Sequence, residues 1–429
     1  MDFDFDFEDA KPWLIGIGAI LLVAGVLFGM TYINVNSAIA KCTAAGYAKP
    51  DWSWRVTSCP ADEDYASDSV ALVVGNTADS PMPKLTDEAD KYLRNSLAQT
   101  DGDLQFYLYS ATPSGSRIQL DDLKVKKAGN VNSFVTNSSQ TVDKIDKAIA
   151  QPASENGADY FNNIVAAGRA VTTSPSTKSP LVLVVGSGLS DSQPLNFANG
   201  DLLHADPADV LAQLKAKGTI AQDDLKGVRI VWSGLGVTTS PQQPLDATEK
   251  RNLRNIYNTI FNYMGARLVT DDTVMATESV KTDKTVTPVT VNGLSGGVVV
   301  YKLGENSIGF KPGTATIQDQ AKANSALDGI IANYQKCPAA KLTVEGYTAR
   351  PNGTIEATSD LSKSRADAVK KLLVARGVND AAVMATGKGS SDFEGRVDEK
   401  DATGTWNSEK AQANRVVIVT MDSSGGCSG

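Results

Sequence analysis

The side chains that most often carry out chemistry are few in this sequence. It has one histidine, His204, and four cysteines, at positions 42, 59, 337 and 427, none of which forms a Cys-x-x-Cys pair. Zinc sites need several such ligands at short spacings, and the Leu-Leu-His-Ala-Asp context of His204 indicates a helix start rather than part of a Ser/His/Asp set. The nucleotide-binding motifs GxGxxG and GxxxxGK[ST] are absent. We therefore expect a binding protein, not an enzyme, with no metal or cofactor. A glycosidase with two catalytic carboxylates is an alternative, but nothing in the sequence singles out such a pair.

The four cysteines allow three pairings. Pairing neighbours, Cys42 with Cys59 and Cys337 with Cys427, agrees best with the domain organisation given below. Closing the first loop is worth about 3 kcal/mol on the chain-entropy account of disulfides. The alternative is four reduced thiols in a reducing compartment.

Length and charge limit the partners. The 429 residues are enough for two or three domains, and the net charge is −8 with a pI near 4.9. A nucleic-acid backbone requires a basic face, so we expect no nucleic-acid partner.

Four short motifs follow one another in the C-terminal third. They are Gly346–Ala349 (GYTA), Leu361–Ala366 (LSKSRA), Gly387–Gly389 (GKG) and Asn414–Val416 (NRV). Their order and spacing resemble GHTD, LSxxRA, GxG and NRRV of the OmpA-like family, the peptidoglycan-associating domain of bacterial envelope proteins. The resemblance covers about Val298–Met421 and implies a small α/β sandwich.

The resemblance also implies a ligand site. In the family, the Asp of GHTD, an Asn before LS and the Arg of LSxxRA grip the charged ends of the diaminopimelate of a peptidoglycan stem peptide. A zwitterion needs a fixed anion and a bidentate cation. Here the cation is retained as Arg365, with Arg415 near the last strand, but the Asp position is Ala349 and the Asn position is Thr358.

Losing a charge-assisted partner removes roughly 1.5–3 kcal/mol of binding. Asp360 is a candidate substitute, at the end of a loop one residue longer than in the family; otherwise the ligand differs. The residues that we expect at the ligand are Thr348, Asp360, Arg365, Asn414 and Arg415.

The middle of the chain alternates between apolar strands and amphipathic helices. Strands are predicted at residues 70–74, 104–109, 181–185 and 228–232, and helices at 86–97, 142–150, 160–170, 207–217 and 248–264. Strands that are apolar throughout, separated by helices, predict a doubly wound parallel sheet covered on both faces.

Two of these strands end in turns of small residues, Gly75–Ser80 and Gly186–Asp191. The arrangement resembles a von Willebrand factor A (vWA) domain, whose first strand ends in DxSxS and holds a divalent cation. Gly75, Thr77 and Asp79 take those places here, so the anchoring carboxylate is missing and we expect a degenerate site without metal. The alternatives are a cation held by Asp79 with Asp191, and a doubly wound domain of another family.

The N-terminal region contains Trp13–Ile33, 21 residues without a charge. At about 1.5 Å per residue a helix of this length reaches roughly 30 Å, the thickness of the bilayer core. A cleaved signal peptide is the alternative, with Ala38–Ala40 as its cleavage box. The flanking charges weakly favour the opposite orientation, but the cysteines and the OmpA-like resemblance place the bulk outside the cytoplasm.

These observations divide the chain into a cytoplasmic stub (1–12), a transmembrane helix (13–33), a tether (34–68), a vWA-like domain (69–272), a linker (273–297), an OmpA-like domain (298–424) and a tail (425–429). We expect a single-pass cell-envelope protein that contacts peptidoglycan through the OmpA-like domain and an unknown protein partner through the vWA-like domain. The alternative is an assembly adaptor whose OmpA-like domain binds protein instead. An ion-driven stator subunit is not expected, because the apolar segment has no carboxylate.

Overall fold

The computed structural model describes residues 35–50, 58–100, 104–115, 128–173, 177–198, 202–271, 273, 278–289, 291, 298–350, 356–393, 395–401 and 403–425, with residues 356–358 described by their backbone only. The predicted transmembrane helix Trp13–Ile33 and Cys427 lie outside these ranges. Within them, every helix is too short or too polar to cross a bilayer.

The described residues form two compact units. One takes its residues from 1–68, 90–105 and 121–145, and the other from 69–89, 106–120 and 146–429. The first unit contains a helix at residues 35–44 (α1), most of Asp87–Gln99 (α2) and most of Val131–Ile149 (α3).

A disulfide joins Cys42 and Cys59 in the first unit, with the two Cα atoms 5.4 Å apart. This confirms the first predicted bridge. Both cysteines are buried with Tyr47, Val131 and Phe134 in a small apolar cluster. The described part of the predicted tether is therefore a packed segment. Cys337 is fully buried in the second unit, and its predicted partner is outside the described residues.

The second unit contains two sheets, and the first belongs to the middle domain (the residues between 69 and 291 in this unit). Its strands are β1 (Ser69–Val74), β2 (Gln105–Ser110), β3 (Leu181–Val185), β4 (Arg229–Ser233) and β5 (Arg267–Asp271). They lie in the order β2-β1-β3-β4-β5, and β1, β3, β4 and β5 run parallel. Every residue of β1 and β3 is buried, as expected for a sheet covered on both faces. The predicted parallel α/β sheet is confirmed.

The helices of the middle domain start where polar side chains cap them. They are α4 (Tyr160–Val171), α5 (Pro207–Ala216) and α6 (Ala247–Tyr263). Asp159, Asp206 and Asp246 each accept a backbone N–H of the first turn. The apolar face of α6 is buried in the core through Leu253, Ile256, Tyr257, Ile260 and Phe261.

Residues 278–291, inside the predicted linker, pack on the middle domain where they are described. Val286, Val289 and Val291 are part of its core. The amide of Gln242 exchanges two hydrogen bonds with the backbone of Val289, of 2.7 and 2.9 Å, and Thr287 N donates to Asp191 Oδ2 at 2.8 Å. This segment is fixed to the domain that it follows.

The C-terminal domain (298–425) is built on the second sheet, in the order β6-β9-β7-β8. Its elements are β6 (Val298–Leu303), α7 (Gln320–Lys336), β7 (Lys341–Tyr347), α8 (Glu356–Ala375), β8 (Val383–Gly389), α9 (Ser408–Ala413) and β9 (Val417–Asp422). β9 runs antiparallel to both β6 and β7, and β7 and β8 are parallel. One apolar core includes residues of both long helices and the sheet.

Candidate functional site

Two strand glycines bring α8 close to the C-terminal sheet. A Cβ on Gly346 would lie 2.1 Å from Ser362 O, and one on Gly387 would lie 2.5 Å from Lys363 N and Ser359 O. Ser362 is fully buried; its hydroxyl donates to Ser359 O at 2.7 Å and accepts Gly389 N at 2.9 Å. Three motifs of the sequence thus fix the position of α8, and with it Arg365.

Arg365 faces a pocket of about 280 Å³. The pocket is lined by residues that precede α7, by the end of β7, by α8 and by the start of β9: Glu305, Ile308, Phe310, Pro312, Gly313, Tyr347, Arg365, Arg415, Val416 and Val417. Three of these side chains carry a charge, namely Glu305 and the two arginines.

The Arg365 side chain is held but not neutralised. The residue is only 6% exposed, its Nε donates to Thr314 O at 3.1 Å, and its guanidinium lies 5.1 Å from the centre of the Phe310 ring. Among the described residues it makes no ion pair. Burial lowers the pKa of Arg365, the like charge of Arg415 lowers it further, and Glu305 raises it. A buried guanidinium beside an open pocket favours binding of an anion.

Arg415 is paired with Glu305. Its Nη2 and Nε lie 2.7 and 3.0 Å from Glu305 Oε2. Both residues are about one-third exposed, at 32% and 27% for their side chains. The pocket therefore contains two guanidinium groups and one carboxylate, and the carboxylate comes from a residue that the sequence analysis did not select.

The structure separates the predicted ligand residues into two groups. Arg365 and Arg415 line the pocket, whereas Thr348, Asp360 and Asn414 do not. Asp360 is exposed. Thr348 is buried, and its Oγ1 has no hydrogen-bond partner among the described residues.

Asn414 belongs to a buried polar network instead. It is fully buried, its amide donates to Val397 O at 2.8 Å and to Glu399 Oε1 at 2.7 Å, and it accepts Val397 N at 3.0 Å. Glu399 also pairs with Arg396 at 2.6 Å, with both side chains about 5% exposed. These contacts hold the loop before α9, so a structural role explains Asn414.

A second candidate site lies where β1 and β3 end, the point at which the strand order of the middle sheet reverses direction and where such folds bind ligands. The Tyr160 hydroxyl fills it: the oxygen lies 3.0 Å from Ser80 Oγ and accepts Ser187 N at 3.1 Å. Burial, and secondly the nearby Asp79, raise the pKa of Tyr160 to about 12.

The residues predicted as a degenerate metal site are part of this buried cluster. Thr77 Oγ1 donates to Asp79 Oδ1 at 2.6 Å, and Ser187 Oγ donates to Oδ2 at 3.4 Å. Burial raises the pKa of Asp79 above its ordinary value. Asp191 instead accepts Ala158 N and Thr287 N, both at 2.8 Å. In the described part of the chain, no three His, Cys, Asp or Glu side chains gather into a group suited to a metal.

Comparison with known proteins identifies the C-terminal domain. Residues 309–410 match the OmpA family. Similar solved structures include the periplasmic domain of Helicobacter pylori MotB, 21% identical over 29% of this chain and 74% of that chain, with a TM-score of 0.25. A second is the peptidoglycan-associated lipoprotein from Burkholderia pseudomallei, 24% identical over 27% of this chain and 88% of that chain, with a TM-score of 0.22. A third is the cell wall anchor of the T6SS from Pseudomonas aeruginosa, 22% identical over 29% of this chain and 82% of that chain, with a TM-score of 0.23. No curated protein matches. The predicted OmpA-like domain is confirmed, and the vWA-like identity of the middle domain stays a prediction.

Proposed function

We propose that this chain is a cell-envelope protein that associates with peptidoglycan through the pocket of its C-terminal domain. The function is binding, without catalysis. The observation that carries the proposal is the buried Arg365 guanidinium, which lines an open pocket and lacks a carboxylate partner among the described residues. A stem peptide of the cell wall offers the free carboxylate that such a group binds.

The OmpA family match at residues 309–410 supports the same ligand class. The Pseudomonas aeruginosa structure is a cell wall anchor and the Burkholderia protein is peptidoglycan-associated. The proposal extends to a membrane anchor at Trp13–Ile33, with the bulk of the chain outside the cytoplasm, and to a middle domain that binds a protein partner. Two modules on one anchor raise the effective concentration of each at its target.

The test is co-sedimentation of the full chain, purified in detergent, with peptidoglycan sacculi. The wild type is expected to pellet with the sacculi. Arg365→Ala should weaken binding by about ten-fold or more, the size of one lost charge-assisted contact. Arg365→Lys should restore only part of it, because an ammonium lacks the planar bidentate fork.

Arg376→Ala is the matched control. It removes the same charge just after α8, where Arg376 pairs with Asp328 away from the pocket, so it should pellet like the wild type. Circular dichroism establishes that each variant is folded. A folded Arg365→Ala protein that pellets normally overturns the assignment of the pocket. A folded wild type that stays in solution favours the adaptor that binds protein.

A further inference from the structure

The pocket shares one loop with the contact between the middle and C-terminal domains. Asp209, in the first turn of α5, is 6% exposed. Its carboxylate accepts the backbone N–H groups of Gly304 at 3.0 Å, Asn306 at 2.9 Å and Ser307 at 3.1 Å, and also the Ser307 hydroxyl. Glu305, which lines the pocket, lies inside this loop.

The loop fits closely around the Asp209 carboxylate. A Cβ on Gly304 would lie 2.4 Å from Asp209 Cγ, so only glycine allows this approach. Three of the four donors are backbone amides, whose positions follow the path of the chain. A carboxylate that binds the amides of residues 304, 306 and 307 defines the conformation of this loop, and it therefore sets where Glu305 leaves the backbone.

Glu305 retains capacity for a further donor. Arg415 contacts only its Oε2, and in the described part of the chain Oε1 accepts no hydrogen bond. A carboxylate oxygen has lone pairs for more than one donor. An ammonium group in the pocket would thus find an acceptor, while a carboxylate on the same ligand binds Arg365.

We propose that Glu305 is the acidic partner of this pocket, standing in for the carboxylate missing at Ala349, and that the middle domain holds it in place through Asp209. The pocket then selects a ligand end that carries an ammonium and a carboxylate together, and it discriminates against a purely anionic end. The inference rests on the proposed function only for the source of that ligand end.

The direct test compares two small probes titrated into the full chain, namely free diaminopimelate and its N,N′-diacetyl derivative, in which neither end carries an ammonium. The wild type is expected to bind the free form about ten-fold more tightly. In Glu305→Gln this preference should fall to about two-fold or less, and the acetylated probe should bind at least as well as before, because two guanidinium groups then face it without an opposing carboxylate. Glu409→Gln is the control: it removes a carboxylate paired with Lys215 at 3.5 Å, outside the pocket lining, and should keep the wild-type preference.

The positioning role of Asp209 is tested with Asp209→Asn and with Ser307→Ala, which removes one donor from the same contact. Both should reduce the preference for the free probe in the same direction as Glu305→Gln but by less, and both should speed amide hydrogen exchange in residues 304–307. If both folded variants keep the wild-type preference for the free probe and the wild-type rate of amide exchange, this role is overturned. If Asp209→Asn does not fold, the same result for Ser307→Ala alone overturns it.

The outcomes separate this inference from the proposed function. If the wild type pellets with sacculi but Glu305→Gln keeps full preference for the free probe, the inference is wrong and the function stands. If the probes behave as expected but sacculi do not retain the protein, the inference stands and the ligand end belongs to another molecule. A wild type that binds neither probe overturns the inference.

Discussion

The phenolic oxygen of Tyr160 occupies the space that a side chain at residue 75 would need. A Cβ on Gly75 would lie 1.8 Å from that oxygen and 3.0 Å from Ser80 Oγ. The position that the predicted vWA resemblance matches to the first metal-ligating aspartate is therefore closed by an aromatic hydroxyl. Residue 75 has no side chain, and the Tyr160 hydroxyl occupies the space that a carboxylate there would need.

Introducing an aspartate at residue 75 should therefore not create a cation site. We expect Gly75→Asp to lower the free energy of unfolding by about 1–3 kcal/mol or more through overpacking, with no additional stabilisation by Mg²⁺. Thermal unfolding with and without Mg²⁺ measures both effects. Gly329→Asp is the control, because a Cβ there meets nothing within 4 Å. A melting temperature of Gly75→Asp that rises with Mg²⁺ would refute the packing argument.

Asp79 should limit stability at neutral pH. Because burial raises its pKa in the folded state, its favourable contribution is present below the pKa of the unfolded chain and is lost as the pH rises through the folded value. Its partners Thr77 and Ser187 are hydroxyls that can reverse donor and acceptor. Asp79→Asn should therefore match or exceed wild-type stability at pH 7.

Denaturant unfolding at several pH values checks this. The stability difference between Asp79→Asn and the wild type should grow in favour of the variant from the ordinary aspartate range towards neutral pH. Asp209→Asn is the contrasting case: the partners of Asp209 are mainly backbone N–H groups, which cannot accept from an amide, so it should lose about 1–3 kcal/mol. Equal losses in both variants would show that the partners do not decide the outcome.

Asn414 should behave as a structural residue. Asn414→Ala leaves Val397 N and O without their buried partner and removes a donor from Glu399, so we expect a loss of about 1–3 kcal/mol in the free energy of unfolding. Retention on sacculi should remain unchanged at a temperature where the variant is folded. Lost retention with unchanged stability would instead place Asn414 at the ligand.

The Cys42–Cys59 bridge should stabilise the first unit in particular. Its loop has a sequence separation of 17 residues, which corresponds to about 3 kcal/mol on the chain-entropy account. The double variant Cys42→Ser/Cys59→Ser should show faster amide exchange in α1 and around Phe134, while β7 and β9 exchange at wild-type rates. Hydrogen exchange read by mass spectrometry resolves the two regions, and a uniform increase would mean that the bridge stabilises the whole chain.

The elements that could be predicted from the sequence are those with a strong local pattern. β1 and β3 are continuous apolar runs, and α8 follows from a motif whose glycines and serine have direct packing roles. The first half of α3 was missed: the prediction began at Val142, whereas the helix begins at Val131. This stretch is rich in Asn, Ser and Thr, which favour non-helical backbone when isolated. β5 was also missed, because its residues Arg267–Asp271 are mixed in polarity and, as an edge strand, only partly buried.

Only the arginines of the candidate pocket could be predicted from the sequence. Arg365 and Arg415 belong to motifs, so sequence reasoning found them. Glu305 lies 110 residues from Arg415 in the chain, and no local pattern marks it. The same holds for Tyr160, which meets Ser80 across 80 residues. Both depend on tertiary contacts that a single sequence does not reveal.

The packing of residues 278–289 on the middle domain has a consequence for how the molecule would carry a mechanical load. A flexible linker of the predicted length could extend to roughly 80–90 Å. Such a linker would lengthen before it transmitted tension between the domains. Here Gln242 and Asp191 hold the segment on the middle domain, and Asp209 grips the C-terminal domain directly. We therefore expect a pull on the C-terminal domain to reach α5 through the hydrogen bonds of Asp209, which would be loaded together.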